Sequence, residues 1–342
     1  MNHRETQRTA RLGGTAPRRL PPRAWVLVGL TLVLVRAAMA QAPAEKPLVP
    51  GDVANFAYEV RSDCFTEAPL EPVGDIRRVS VCFPTPVPSG VPENDTVVCV
   101  LHLPKGTGPW PGVVVLHELG TSDGALVKEI ALRLTGQGYA ALTLTLPYHM
   151  TRKPAGRSSA ELMMGADTTQ VVKAFRQAIV DIRRSVDWLA QRPDIDRDHL
   201  GVMGVSLGGI VTLLASRVEP RFKAAASIIG SGDLASVVWD GMLTKLVRQS
   251  LEAHGVTKDS LTQTMAPVES MNYAQCNPSL RLLMICARLD LVIPPACATR
   301  TWEAFGKPPI VWFLAGHYDI FLQREKVYQE VFAFFAPALK KA

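Results

Sequence analysis

A short apolar run, His199-Leu200-Gly201-Val202-Met203, enters Gly204-Val205-Ser206-Leu207-Gly208 and leaves as a second apolar run from Gly209 to Ser216, closed by Pro220. The first run has the length of a buried strand and follows a polar turn at 193–198. The second has the length of a buried helix. A chain that passes from strand to helix this quickly must turn sharply. The G-x-S-x-G spacing permits it, because glycines two before and two after the serine let strand and helix approach without Cβ clashes. Strain in such a turn holds the serine hydroxyl at the top of a sheet. Five residues alone are a weak pattern. They gain weight if an acid and then a histidine follow further along the chain.

Both follow. Leu282-Leu283-Met284-Ile285-Cys286-Ala287 reads as a strand that ends in Arg288-Leu289-Asp290, and Ile310-Val311-Trp312-Phe313-Leu314 as another that leads to Gly316-His317. A carboxylate just past a strand's carboxyl end lies on the same rim as Ser206. The seven histidines allow elimination. His3 lies in the N-terminal segment, His102 within an early strand, His199 just before the serine strand and His254 in a polar stretch. His117 and His149 follow strands but precede the serine. Only His317 has the expected order and position, so the candidate triad is Ser206, Asp290 and His317. Asp319 and Asp233, which also follow strands, are the rivals for the acid.

The remaining chain alternates in the same manner. Strands are expected around 57–61, 78–83, 96–103, 112–116, 139–146, 223–229, 281–287 and 310–314, besides the serine strand. Helices are expected near 125–136, 296–305 and 321–336. The most amphipathic helix runs from Val171 to Gln191, with Phe175, Ile179, Ile182, Val186 and Leu189 at spacings of three and four. The pattern predicts an α/β fold: a mostly parallel, doubly wound sheet of about eight strands with an antiparallel edge at its start. The loop after strand 112–116, His117-Glu118-Leu119-Gly120, should supply one N–H of an oxyanion hole and the residue after the serine the other. We assign them to Leu119, within one position, and Leu207.

These segments together resemble the α/β-hydrolase superfamily, and within it the dienelactone-hydrolase-like and acetyl-xylan-esterase-like branch. The carriers are the loop at 117–120, the elbow, the run Arg288-Leu289-Asp290-Leu291-Val292-Ile293-Pro294, and Gly316-His317. The resemblance spans about 95–338. It departs in two places: dienelactone hydrolases use a cysteine nucleophile where this chain has Ser206, and the usual His-Gly of the oxyanion loop is His117-Glu118 here. The resemblance implies that Glu118 contacts the resting nucleophile; a carboxylate capping the next helix is the alternative.

Residues 1–23 are polar and Arg-rich, Ala24 to Val35 form a twelve-residue apolar run, and Ala38-Met39-Ala40 offers a cleavage site before Gln41. This is the layout of a secretory signal peptide over 1–40, with an uncleaved anchor as the alternative. The segment holds seven Arg and one Glu, which accounts for the whole net charge of +6 and leaves 30 basic and 30 acidic residues beyond it. The charge therefore gives no reason to expect nucleic acid or an anionic membrane as partner. All six cysteines lie beyond residue 40, an even number that permits disulfides in an exported protein. Cys276 with Cys297 and Cys64 with Cys82 are candidate pairs, and Cys286 is expected as a buried thiol. No cysteine or histidine spacing suggests a metal site, and no cofactor is expected.

Residues 41–56 read as a linker and 57–342 as one domain. Two stretches, 147–170 and 232–277, interrupt the alternation at the rim where lids sit. They are expected to wall the substrate pocket, with His117, Glu118, Tyr148 and His149 as candidate pocket residues. The basic cluster Arg152, Lys153 and Arg157 reads as solvated. The expected activity is hydrolysis of a small-molecule carboxylic ester through an acyl-enzyme. A peptidase or lactone hydrolase is the first alternative, and a non-catalytic binding protein on the same scaffold the second.

Overall fold

The computed structural model describes residues 47–61 and 64–340. The expected signal peptide and the first part of the expected linker lie outside them. Among the described residues, nine strands form one sheet in the order β1-β2-β3-β5-β4-β6-β7-β8-β9. These are β1 Thr66–Val73, β2 Ile76–Pro84, β3 Thr96–Leu103, β4 Trp110–Leu116, β5 Ala140–Leu144, β6 Ile195–Val205, β7 Phe222–Ile228, β8 Arg281–Ala287 and β9 Ile310–Phe313. The first three pair antiparallel, as does β3 with β5; from β5 to β9 all neighbours are parallel. This is the mostly parallel sheet with an antiparallel edge that the sequence implies.

The parallel strands are buried on both faces, so they read as unbroken apolar runs. Their side chains still alternate between two cores. Val114 and Leu116 of β4, Val202 of β6 and Leu282, Met284 and Cys286 of β8 join one core. Val113 and Val115, Met203 and Val205, and Leu283, Ile285 and Ala287 join the other. Helices α1 (Ala125–Gly136) and α7 (Arg324–Leu339) cover the second face, through Val127, Ile130, Val331 and Phe335. Helices α2 (Thr168–Gln191) and α3 (Leu207–Val218) cover the first. Helix α2 begins three residues before the expected start because Asp167 caps it, accepting the Gln170 N–H at 3.0 Å.

The expected strand at 57–61 is not one. The first strand is β1, TEAPLEPV, and all eight of its residues are exposed. Proline at 69 and 72 is tolerated only because β1 is the edge of the sheet, and an exposed edge carries no apolar alternation. In β6, Ile195 and Asp196 extend the strand: Pro111 pairs with Asp196 and Gly112 with Leu200, so Arg197-Asp198-His199 are looped out as a bulge.

All six cysteines are free thiols. Cys276 and Cys297 sit beyond opposite ends of β8, and seven strand residues span ~20 Å, far beyond disulfide reach. Cys82 faces Thr66 across the β1–β2 ladder, which leaves Cys64 out of register; its Sγ accepts from the Arg184 guanidinium at 3.1 Å instead. Cys286 is the buried thiol expected, its pKa pushed up to about 12 by burial. Among the described residues no helix is long and apolar enough to cross a membrane.

The stretch 232–277 folds into α4 (Leu234–Asp240), α5 (Lys245–Ala253) and α6 (Lys258–Met265), followed by two 3-10 turns. Val237, Val238, Leu251, Leu261 and Met265 meet Met164 and Gly165 of the other stretch, together with Val171, Phe175 and Ile210, around a small apolar cavity. Arg152 is not solvated. It is fully buried, pairs with Asp181 at 2.8 Å and donates to the carbonyls of Asn94 and Thr145. Thr85 donates to the other oxygen of Asp181. One buried cation thereby ties the stretch after β5 to helix α2 and to the turn at Pro92–Asp95.

Candidate active site

Ser206 stands between β6 and α3 with φ 54° and ψ −114°, a strained backbone for a residue with a side chain. Its N–H is held by the Ile228 carbonyl at 2.9 Å, and its own carbonyl accepts from Ile210 at 2.9 Å. The flanking glycines are required by contact. A Cβ on Gly204 would overlap the Gly208 carbonyl, and a Cβ on Gly208 would overlap the carbonyl of Leu116.

The Ser206 hydroxyl lies 2.9 Å from His317 Nε2, and His317 Nδ1 lies 2.7 Å from Asp290 Oδ2. The second Asp290 oxygen accepts the N–H groups of Val292 and Ile293, each at 2.8 Å. Both oxygens are thus engaged, and the carboxylate cannot rotate away from the ring. Histidine and aspartate are almost fully buried. The two rival acids are occupied elsewhere: Asp319 accepts the Gly316 N–H at 2.7 Å, and Asp233 pairs with Arg300. The structure therefore brings together a hydroxyl, an imidazole able to take its proton and a carboxylate able to orient and balance that imidazole.

The hydroxyl opens into a cleft of about 220 Å³. Glu118 and Leu119 of the loop after β4 line it, with Leu126 of α1, Val205, Ile229, Val292, and Tyr318 and Phe321 beyond the histidine. Leu207 opens helix α3, where a backbone N–H has no partner within the helix. Leu119 lies on the cleft wall.

His117 is fully buried beneath this loop. Its Nε2 accepts the Leu146 N–H at 2.9 Å, so in the neutral ring the proton sits on Nδ1, 2.8 Å from the Glu118 carbonyl. Burial, with His149 beside it, pushes its pKa down to about 3. The ring of His149 lies edge-on at 4.7 Å; burial lowers its pKa to about 4, its Nδ1 meets the Pro147 carbonyl, and its Nε2 is buried without a partner. Tyr148 is buried and receives a hydrogen bond from Gln170. Of the four candidate pocket residues, then, Glu118 lines the cleft, while His117, Tyr148 and His149 pack behind it. Glu118 keeps one buried carboxylate oxygen without a hydrogen-bond partner. Neither 147–170 nor 232–277 contributes a residue to the cleft lining. Val237, Val238, Leu251, Leu261 and Met265 turn instead toward Met164 and α2, while Met242, Leu243 and Leu246 are exposed. Val292 could be found in the sequence as the residue two past the acid, where an aspartate meets backbone N–H groups. Leu126 and Phe321 carry no such signal.

The profile of the dienelactone hydrolase family matches residues 97–267. An uncharacterized protein of Mycobacterium tuberculosis is 28% identical over 219 residues, covering 63% of this chain and 52% of that one. A probable 2-oxo-3-(5-oxofuran-2-ylidene)propanoate lactonase of Bradyrhizobium is 28% identical over 142 residues, 40% of this chain and 53% of the lactonase. The chain spans about half the length of these curated relatives. Among solved structures, acetyl xylan esterase 1 of Thermoanaerobacterium sp. JW/SL YS485 superposes with a TM-score of 0.65 at 16% identity, over 82% of this chain and 89% of the esterase. That likeness is one of fold, the α/β-hydrolase fold.

Proposed function

This chain belongs to the dienelactone hydrolase family, and we propose that it is an exported serine hydrolase that cleaves carboxylic esters through an acyl-enzyme. One observation carries the reading: the unbroken relay from the Ser206 hydroxyl through His317 to Asp290, at the floor of a cleft. His317 takes the proton as Ser206 attacks the carbonyl carbon, and Asp290 stabilises the imidazolium. The N–H groups of Leu119 and Leu207 receive the oxyanion. Collapse expels the alcohol, protonated by His317. Water, deprotonated by the same ring, then releases the acid and restores the serine.

A lactone is an ester closed on itself, so the same groups serve it, and the lactonase relative favours it as the second substrate type. Export rests on the residues before Gln41: seven arginines, an apolar run and a small-residue cleavage site. Labelling by a fluorophosphonate probe, abolished in a folded Ser206→Ala variant, tests the nucleophile; full turnover by that variant would sink the assignment. A mature N-terminus at Gln41 tests the export signal.

A further inference from the structure

The cleft above Ser206 is chiefly apolar. Besides Ser206, His317 and the Glu118 carboxylate, its wall is chiefly Leu119, Leu126, Ile229, Val292, Tyr318 and Phe321. No lysine or arginine is among the described residues that line it. Cations nearby in the chain are committed: Arg152 to buried Asp181, Arg300 to Asp233, and Arg288 to the face of Trp312. His117 and His149, pushed down to about 3 and about 4, carry no charge at neutral pH.

A substrate bearing a carboxylate, as the lactonase relative's name specifies for its own, would meet Glu118 with no counter-charge. A sugar acetate would desolvate its hydroxyls against hydrocarbon, with Glu118 and the Tyr318 phenol as the polar side chains added to the triad. The surroundings point the same way. Beyond β3, every exposed large apolar side chain of the described residues lies in the segments after β4, β7, β8 and β9, the rim that holds the site. Leu119, Leu291, Tyr318 and Leu322 are the nearest to site residues in sequence.

We propose that the substrate is a neutral ester, apolar on both sides of its ester bond, with a short acyl part. The volume of about 220 Å³ lies below the ~300–1,000 Å³ of clefts that enclose larger ligands, which suits a short acyl chain. This rests on the serine-hydrolase reading above and adds the charge and polarity of what Ser206 attacks.

The experiment compares kcat/KM for p-nitrophenyl acetate, p-nitrophenyl butyrate and p-nitrophenyl hemisuccinate, and for cyclohexyl acetate against a monoacetylated methyl xyloside, with active sites titrated in parallel by a fluorophosphonate. Each added methylene should raise kcat/KM about fourfold until the cleft fills. The hemisuccinate should fall at least about tenfold below butyrate, and the xyloside ester at least about tenfold below cyclohexyl acetate. Leu126→Arg, which brings a cation to the wall, should raise the hemisuccinate-to-butyrate ratio about tenfold. Equal or better turnover of the anionic or sugar ester, or an unchanged ratio in folded, labelled L126R, overturns the proposal alone. No labelling and no turnover of any ester overturns the serine-hydrolase reading, and the proposal with it.

Discussion

His117 touches no part of the cleft, yet its replacement should affect turnover more than binding. Its Nδ1–H holds the Glu118 carbonyl at 2.8 Å. That carbonyl and the Leu119 N–H belong to one planar trans peptide, so they point in opposite directions. Anchoring the oxygen inward on His117 therefore aims the N–H outward, to the side where Leu119 lines the serine cleft. Two substitutions separate this role from simple packing. Asparagine places an amide donor near the Nδ1 position but leaves the Leu146 N–H unpaired. Glutamine can accept from Leu146 near the Nε2 position but releases the Glu118 carbonyl. Each loses one buried hydrogen bond and leaves one backbone group unsatisfied, a cost of about 1–3 kcal/mol in either case. Loss of one oxyanion donor costs about 10²–10³ in kcat. H117Q should therefore lose about 10²-fold in kcat with KM little changed, while H117N stays within about tenfold of the parent. Steady-state kinetics on p-nitrophenyl butyrate, with urea unfolding of both variants, provides the assay. Equal kcat losses in the two variants, or losses that track their stability, would refute the peptide-orientation reasoning.

The buried histidines should weaken the fold on acidification from pH 7. Burial pushes His102, His117 and His149 down to about 4, 3 and 4. The unfolded chain then binds more protons than the folded one below about pH 6.5, and stability present above that pH is lost toward the folded values. At pH 5 the loss is at most about 2 kcal/mol per histidine, so the urea midpoint should drop between pH 7 and 5. Asp181 and Glu269, pushed up by burial, oppose this above the ordinary carboxylate range, so the check is a comparison with His102→Phe, whose midpoint should drop less from pH 7 to 5; an equal drop would refute a neutral buried His102 ring. Arg152→Met leaves the Asp181 carboxylate buried without its cation and should cost about 3–5 kcal/mol by urea unfolding, whereas R152M combined with Asp181→Leu should recover part of it. An R152M loss below about 1 kcal/mol would mean that the pair is not buried as described.

What the sequence revealed follows from where side chains meet repeating geometry. Strands β4 to β9 were legible because burial on both faces makes them continuous apolar runs, and their carboxyl ends then mark Ser206, Asp290 and His317 as neighbours. The edge strand β1 was not, because exposure removes the alternation and Pro69 and Pro72 argue against a strand. Arg152 was misread for a related reason. In sequence it sits with Lys153 and Arg157 and looks solvated, and only the fold supplies Asp181 from helix α2. Tyr148 and His149 follow a strand as the site residues do, but the chain turns them inward, where Gln170 and the Pro147 carbonyl receive them. Whether a rim residue faces the cleft or the core depends on long-range packing, which spacing does not encode.

The elbow glycine at 208 has a role beyond the turn itself. A Cβ there would collide with the Leu116 carbonyl and press on that of His117, so its absence lets helix α3 lie directly against the end of β4. Those two carbonyls begin the loop that carries Glu118 and Leu119. The same close approach that strains Ser206 upward thus fixes the distance between the nucleophile and the loop that would receive the oxyanion. His117 orients that loop from below, through one bond to the Glu118 carbonyl and one from Leu146 at the end of the neighbouring strand. Asp290, tied by Val292 and Ile293, fixes the imidazole from the opposite side. Each reacting group is therefore positioned by backbone contacts of the sheet's carboxyl edge rather than by the insertions.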